Sequence, residues 1–278
     1  MYVKILFLFL CIAATAASAD TFMGRMVKIT DGRSDSAKPA PLIVALHPFL
    51  GTPRSMRKKT RFDALARSNG FLVAYPEGKR RRWNDGRDPG ARVDDVAYLS
   101  ALIDSLVSAG QADPARVFLA GHSNGGGMAM RMACDRPDLI AGIAVAATKI
   151  STNYQCPQGR PVPAIFFHGT QDPIAPPNGR PDDHRLGGTL SADATLALWS
   201  ARNGCQRAEN TQNIDNRDDE TSAQIIRYSG CHAPLVNVSI TGHGYAWPGA
   251  GARLPRLQGP ATKEVDAAVL SWRFFSKL

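Results

Sequence analysis

Apolar residues along this chain gather in short, unbroken runs separated by amphipathic and turn-rich stretches. Leu42-Ile43-Val44-Ala45-Leu46, Phe71-Leu72-Val73-Ala74, Val117-Phe118-Leu119-Ala120 and residues 140–147 and 162–167 are continuous apolar segments, the pattern of strands buried on both faces of a parallel sheet. Residues 22–29 read as a first strand and 235–240 as a late one. Helices are predicted between them. Thr52-Pro53 supplies an N-cap and a proline at the first helical position, and this helix runs past Phe62, Leu65 and Ala66 to a C-cap at Asn69-Gly70. Asp94 and Asp95 open a second helix, in which Val96, Leu99, Ile103 and Leu106 share one face before Gly110 ends it. A third follows residue 123 and runs to about Cys134. Residues 75–92 form a long loop rich in Gly, Arg and Pro, a candidate binding loop. The polar stretch 207–221 reads as an exposed loop. Strand and helix alternating in this way predict an α/β fold, a mostly parallel, doubly wound sheet with helices on both faces. No second compositional regime or internal repeat interrupts residues 20–278, so they are expected to form one domain.

Composition changes that picture at the N-terminus. Lys4, an apolar run over residues 5–14 and Ala17-Ser18-Ala19 have the layout of a secretory signal peptide over residues 1–19, with cleavage near Ala19. The expected product is secreted or periplasmic, with no stable membrane anchor. Cys11 leaves with the signal, and of the five cysteines Cys134, Cys156, Cys205 and Cys231 remain. An even number in an oxidising compartment suggests two disulfides. Three pairings are open, and the local ones, Cys134–Cys156 and Cys205–Cys231, are favoured. The net charge of +9 is densest at Lys79-Arg80-Arg81-Arg82. No helix-turn-helix, zinc or RNP signature accompanies it, so no nucleic-acid partner is expected.

Candidate chemistry centres on Gly121-His122-Ser123-Asn124-Gly125. A G-x-S-x-G between an apolar strand and a small-residue helix start is the layout of a nucleophile elbow. A serine nucleophile on such an elbow takes an acid and a base in the chain order Ser, Asp or Glu, His, and in an open parallel sheet these groups gather at the carboxyl ends of strands. Asp172, in His168-Gly169-Thr170-Gln171-Asp172, lies just past one strand, whereas Asp182 and Asp183 lie farther out in a loop. His47, His122 and His168 fail the order; His184 lies in the same loop, and His232 precedes the strand at 235–240. His243 follows that strand and is the expected base. The backbone N–H groups of Asn124 and Phe49 are the expected oxyanion donors, because Pro48 has none. Trp83 and Trp247 are candidate substrate-cleft walls, with a core role equally open. No HExxH or comparable ligand set occurs, so neither a metal nor a cofactor is implied.

With these residues assembled, the chain resembles the secreted poly(3-hydroxybutyrate) (PHB) depolymerase-like and feruloyl esterase-like α/β-hydrolases. The pieces that carry the resemblance are Leu46-His47, Trp83-Asn84-Asp85-Gly86, Val93-Asp94-Asp95-Val96, Gly121 to Gly126, His168 to Asp172, Asn203-Gly204-Cys205, Gly230-Cys231, Gly242-His243, Trp247-Pro248-Gly249 and Trp272-Arg273-Phe274-Phe275. The resemblance implies the α/β-hydrolase fold and Ser123, Asp172 and His243 as a triad that hydrolyses a small or oligomeric carboxylic ester through an acyl-enzyme. Feruloyl, acetyl and hydroxybutyrate esters are all compatible. The alternative is an exported protein of the same fold that binds without catalysis. Two positions depart from the family pattern: Pro48-Phe49 stands where glycine is usual, and His243 stands earlier before Trp247 than the family's histidine does.

Overall fold

The structure is a computed structural model that describes residues 21–181, 183 and 187–278. The expected leader at residues 1–19 and the alternatives Asp182 and His184 lie outside the described residues.

In chain order the described elements are β1 Thr21–Phe22, β2 Arg25–Asp31, β3 Ala40–Leu46, α1 Pro53–Thr60, α2 Phe62–Asn69, β4 Leu72–Pro76, α3 Asp95–Ser108, β5 Ala112–His122, α4 Asn124–Asp135, β6 Gly142–Ala146, β7 Ala164–Gly169, α5 Ala192–Arg202, β8 Arg207–Ile214, β9 Ser222–Ser229, β10 Leu235–Thr241, α6 Pro255–Gln258 and α7 Ala267–Phe275. The strands form one ten-stranded sheet in the order β1-β2-β4-β3-β5-β6-β7-β10-β9-β8. From β4 through β10 every neighbouring pair is parallel, and antiparallel strands flank this block on both sides.

Alternation along β3 explains the two layers of core. Leu42, Val44 and Leu46 pack with Leu99 and Ile103 of α3, Met128 and Met132 of α4 and Trp199 of α5. Ile43 and Ala45 face the other way, with Met56 of α1, Phe62 and Ala66 of α2 and Phe275 of α7. A strand covered on both faces has no polar side to show, which is why β3 reads as an unbroken apolar run. The expected doubly wound sheet is therefore present.

Several local expectations are realised in detail. The Thr52 side chain accepts the Ser55 N–H at 3.1 Å while Ser55 Oγ accepts the Thr52 N–H at 2.9 Å, a reciprocal capping box. Asp94 caps α3 by accepting the Ala97 N–H at 2.9 Å. Both local disulfides form, Cys134–Cys156 and Cys205–Cys231.

Two expectations are corrected. The helix after Thr52 is two helices, broken where Arg61 takes a left-handed conformation with φ 56°. The stretch 207–221 is not all loop, because residues 207–214 form β8, the edge strand paired with β9 alone. Edge position leaves β8 largely exposed, so its sequence carries no apolar signature. No helix among the described residues is long and apolar enough to cross a membrane.

Candidate active site

Five parallel strands deliver their carboxyl ends to one cleft of about 330 Å³, lined among others by Phe49, Ser123, Lys149, Ala175 and Tyr245. Phe49 follows β3, Ser123 β5, Lys149 β6, Ala175 β7 and Tyr245 β10. This is where an open α/β sheet places its functional groups.

Ser123 sits at the turn from β5 into α4 with φ 53° and ψ −122°. For a non-glycine residue that conformation is strained, and strain of this kind collects at functional sites. The surroundings hold it there. The Ser123 N–H donates to Ala146 O at 2.8 Å, and Ser123 O accepts the Gly127 N–H at 2.9 Å. Close packing requires glycine at two flanking positions: a Cβ on Gly121 would lie 2.2 Å from Gly125 O, and one on Gly125 would lie 2.3 Å from Leu46 O. The pattern G-x-S-x-G thus records how tightly the helix start is pressed between β3 and β5.

Of the expected oxyanion donors, Asn124 is the first residue of α4, so its N–H has no intrahelical partner. The Asn124 side chain is spent elsewhere, accepting the Trp83 N–H at 2.8 Å and donating to Trp83 O at 2.9 Å. Phe49 is 52% exposed at the cleft, in a segment held by Arg81, whose carbonyl accepts the Leu50 N–H at 2.9 Å and whose Nε donates to Gly51 O at 3.3 Å.

Asp172 lies past β7, where expected, and is buried. Its Oδ1 accepts the N–H groups of Ile174 at 2.9 Å and Ala175 at 2.8 Å, while Oδ2 has no hydrogen-bond partner among the described residues. Burial pushes its carboxyl up to about 6, against the two N–H donors and the Lys149 charge, which pull it down. Lys149, missed in the sequence, is itself buried, donates to Ala175 O and is pushed down to about 8 by desolvation.

His243 occupies a different setting from the one expected. Its Nδ1 accepts the Thr262 N–H at 3.0 Å, and its Nε2 faces Ala246 O at 2.9 Å, which makes Nε2 the protonated nitrogen. Both ring nitrogens are therefore taken by backbone. Desolvation lowers its pKa, and the carboxylate whose charge reaches it is Asp219 rather than Asp172. No hydrogen bond joins His243 to Ser123 or Asp172 among the described residues, and His243 does not line the cleft. Tyr245, rather than His243, lines the cleft with Ser123. The sequence carried a signal for this. His243 stands four positions before Trp247, and the resembling pattern has its histidine two before, at the position of Tyr245.

Both tryptophans offered as cleft walls are core residues. Trp83 is 0% and Trp247 1% exposed, and neither lines the cleft. Trp83 Nε1 donates to His47 O at 3.0 Å, and Trp247 packs edge-on to Phe62. His232 lines a separate hollow near Pro234, before β10 and away from Ser123. Around the mouth Asp85 pairs with Arg87 at 2.9 Å, and Arg87 donates to Thr148 Oγ1 at 3.0 Å. Arg82 and Arg180 also line the cleft, so the basic run contributes one of its four residues to it. No group of three His, Cys, Asp or Glu residues that could hold a metal occurs among the described residues.

Residues 32–155 match the family described as "Esterase PHB depolymerase". The chain is 29% identical over 246 residues to "Putative esterase NocK" of Nocardia uniformis subsp. tsuyamanensis, covering 82% of this chain and 72% of that protein. It is 30% identical to feruloyl esterase B of Piromyces equi, but over 60% of this chain and only 33% of that longer protein. Poly(3-hydroxyalkanoate) depolymerase C of Paucimonas lemoignei is 26% identical, over 76% of this chain and 57% of that protein. In fold, an acetyl xylan esterase from Aspergillus awamori superposes with a TM-score of 0.59 at 16% identity, covering 91% of this chain and 94% of that one. In family pattern, relatives and fold the chain is thus similar to the PHB depolymerase-like and feruloyl esterase-like esterases.

Proposed function

We propose that the chain hydrolyses a short or soluble carboxylic ester, with Ser123 as nucleophile and an acyl-enzyme as intermediate. The observation that carries this reading is the strained Ser123, held at a strand-to-helix turn and exposed to a cleft at the strand ends. Its hydroxyl attacks the ester carbonyl, and the backbone N–H groups of Asn124 and Phe49 stabilise the oxyanion that forms. Water then releases the acid. Asp172 supplies buried negative charge beside the cleft. His243 would serve as base only by giving up both of its backbone partners, so the reading commits to Ser123 and the oxyanion donors. The modest cleft favours an acetyl, butyryl, hydroxybutyrate-oligomer or feruloyl group over the surface of an insoluble polyester. The N-terminal signal pattern and the two disulfides support action outside the cytoplasm.

The engagement of His243 favours a second reading, a protein of this fold that binds an ester or acid without turning it over. One experiment separates the two. Purified mature protein and Ser123→Ala are assayed with p-nitrophenyl acetate and butyrate. The esterase reading expects turnover that Ser123→Ala abolishes; equal rates for the two proteins would refute it.

A further inference from the structure

We propose that Lys149 and Arg180 form an anion subsite on one wall of the cleft, and that the ester taken there carries a free carboxylate. The proposal names a substrate class for the esterase reading and rests on it.

Lys149 follows β6 and Arg180 lies beyond β7, and both line the cleft with Ser123. They converge on one segment. Lys149 Nζ donates to Ala175 O, and Arg180 Nη2 donates to Pro173 O at 2.7 Å, two residues earlier. That segment is pinned by Asp172, whose Oδ1 accepts the Ile174 and Ala175 N–H groups. Both positive charges reach Asp172, so they act in one field, while Asp172 itself does not line the cleft. Phe49 and Ile174, exposed apolar residues of the lining, offer contact to a short chain between an ester and a carboxylate.

Lys149 carries the argument furthest. It is 2% exposed, and an ammonium has three N–H donors. Ala175 O takes one, and no other acceptor engages Nζ among the described residues. Neither Lys149 nor Arg180 has a carboxylate within ion-pair distance among the described residues. A buried charge is costly unless it is paired, and desolvation pushes this amine down to about 8, which leaves most of it cationic at neutral pH. A carboxylate entering the cleft supplies both the missing acceptor and the missing countercharge. The other cations of the lining are already committed. Asp85 Oδ2 pairs with Arg87 Nε at 2.9 Å, and Arg82 faces Asp88 at 3.6 Å, where both side chains are about half exposed to water. Asp183 is the second carboxylate of the lining, next to Arg180, whose carbonyl accepts the Asp183 N–H at 3.3 Å. Against that one carboxylate stand Lys149 and Arg180 together.

Matched esters test this. Mono-p-nitrophenyl adipate carries a carboxylate where p-nitrophenyl hexanoate ends in a methyl group, and 4-carboxyphenyl butyrate carries one in the alcohol part where 4-methylphenyl butyrate has methyl. Each pair is compared in wild type, Lys149→Met, Arg180→Gln and Lys79→Gln, the last an exposed lysine of the basic run that does not line the cleft. On a charged ester Lys149→Met is expected to raise KM roughly tenfold or more, as the loss of a charged hydrogen bond does. Arg180→Gln is expected to raise it roughly two- to fivefold, because that side chain is exposed. On the matched neutral ester both are expected to stay within about twofold of wild type, and Lys79→Gln to match wild type throughout. A selective rise on the adipate ester places the carboxylate in the acid part, one on the carboxyphenyl ester in the alcohol part, and either supports the subsite. Equal changes on charged and neutral esters in both pairs, or none, overturn it. Should Lys149→Met fail to fold, Arg180→Gln decides alone. Adipate is also titrated calorimetrically into Ser123→Ala with and without Arg180→Gln, and weaker binding in the double variant is expected. A wild type no faster than Ser123→Ala on every ester, with that difference in adipate binding intact, keeps the subsite and defeats the esterase reading instead. Adipate binding that is absent, or indifferent to Arg180, overturns the subsite whatever the rates.

Discussion

His122 is fully buried and uses both ring nitrogens: Nδ1 lies 2.9 Å from Lys59 Nζ and Nε2 lies 2.8 Å from Tyr245 O. An ammonium can only donate, so Nδ1 accepts and Nε2 carries the proton; the ring is neutral, as its burial also demands. The cost falls on Lys59, whose amine is pushed down to about 8 by desolvation, with the Arg253 charge adding to it. A lysine lowered on folding contributes stability that is fully present above its unfolded value and is lost as pH falls through the folded one. Between about pH 10.5 and 8 the unfolded chain therefore binds more protons than the native one, and stability climbs with pH across that window. Wild type should gain on the order of 1 kcal/mol relative to Lys59→Met when urea unfolding is moved from pH 7.5 to 9.5. A difference between the two proteins that does not change with pH would show that Lys59 is not the half-buried, desolvated amine assigned here.

At the scale of elements the elbow is a packing device first. The start of α4 approaches β3 closely enough for a Gly125 Cβ to collide with the carbonyl of Leu46, which is backbone and cannot swing aside. Gly125→Ala should therefore cost about 2 kcal/mol or more of unfolding free energy and cut activity with it, because relief requires α4 to move away from the loop bearing Phe49. Chemical denaturation and the p-nitrophenyl butyrate assay together check this; a stable but inactive variant would mean that the glycine acts on chemistry alone. The same reasoning explains what the sequence could disclose. Two-sided burial forces apolar residues along β3, β4 and β6, the second half of β5 and most of β7, so those strands and the G-x-S-x-G at the end of β5 are legible. Caps are legible too, since Thr52 and Asp94 act within three residues of themselves. β8 is not, because an edge strand exposed along most of its length is under no such demand. His243 marks the boundary. Chain order and strand end located its loop correctly, but where its ring points is set by Thr262 and by a turn at Ala246. The one local signal of that arrangement is the spacing of His243 to Trp247, four positions where the resembling pattern has two. Burial of Trp83 and Trp247 is equally non-local, fixed by His47 and Phe62 on other elements.

Over the whole molecule the two disulfides divide labour between stability and the cleft. Both pack against the core layer that holds α3, α4 and α5, and their sequence separations are similar, 22 and 26 residues. Loop closure of that size contributes about 3 kcal/mol each. For a domain of this length that is roughly 6 °C of melting temperature. The loops they close differ in content. Cys134–Cys156 ties the end of α4 to the segment after β6, and so encloses Thr148 and Lys149, which line the cleft. Cys205–Cys231 encloses β8 and β9, the antiparallel edge, none of whose residues line it. Paired Cys→Ser variants should therefore lose similar amounts of thermal stability but part company in catalysis. Removing Cys134 and Cys156 should raise KM for p-nitrophenyl butyrate, as the Lys149 segment loosens, while removing Cys205 and Cys231 should leave KM within about twofold at a temperature where both remain folded. Alkylation without reductant, followed by intact-mass measurement, establishes that each variant keeps its remaining bridge. An unchanged KM in the first pair would mean that the parallel sheet alone holds the cleft. A raised KM only in the second would trace the cleft's order to the antiparallel edge, against the division drawn from the two enclosed loops.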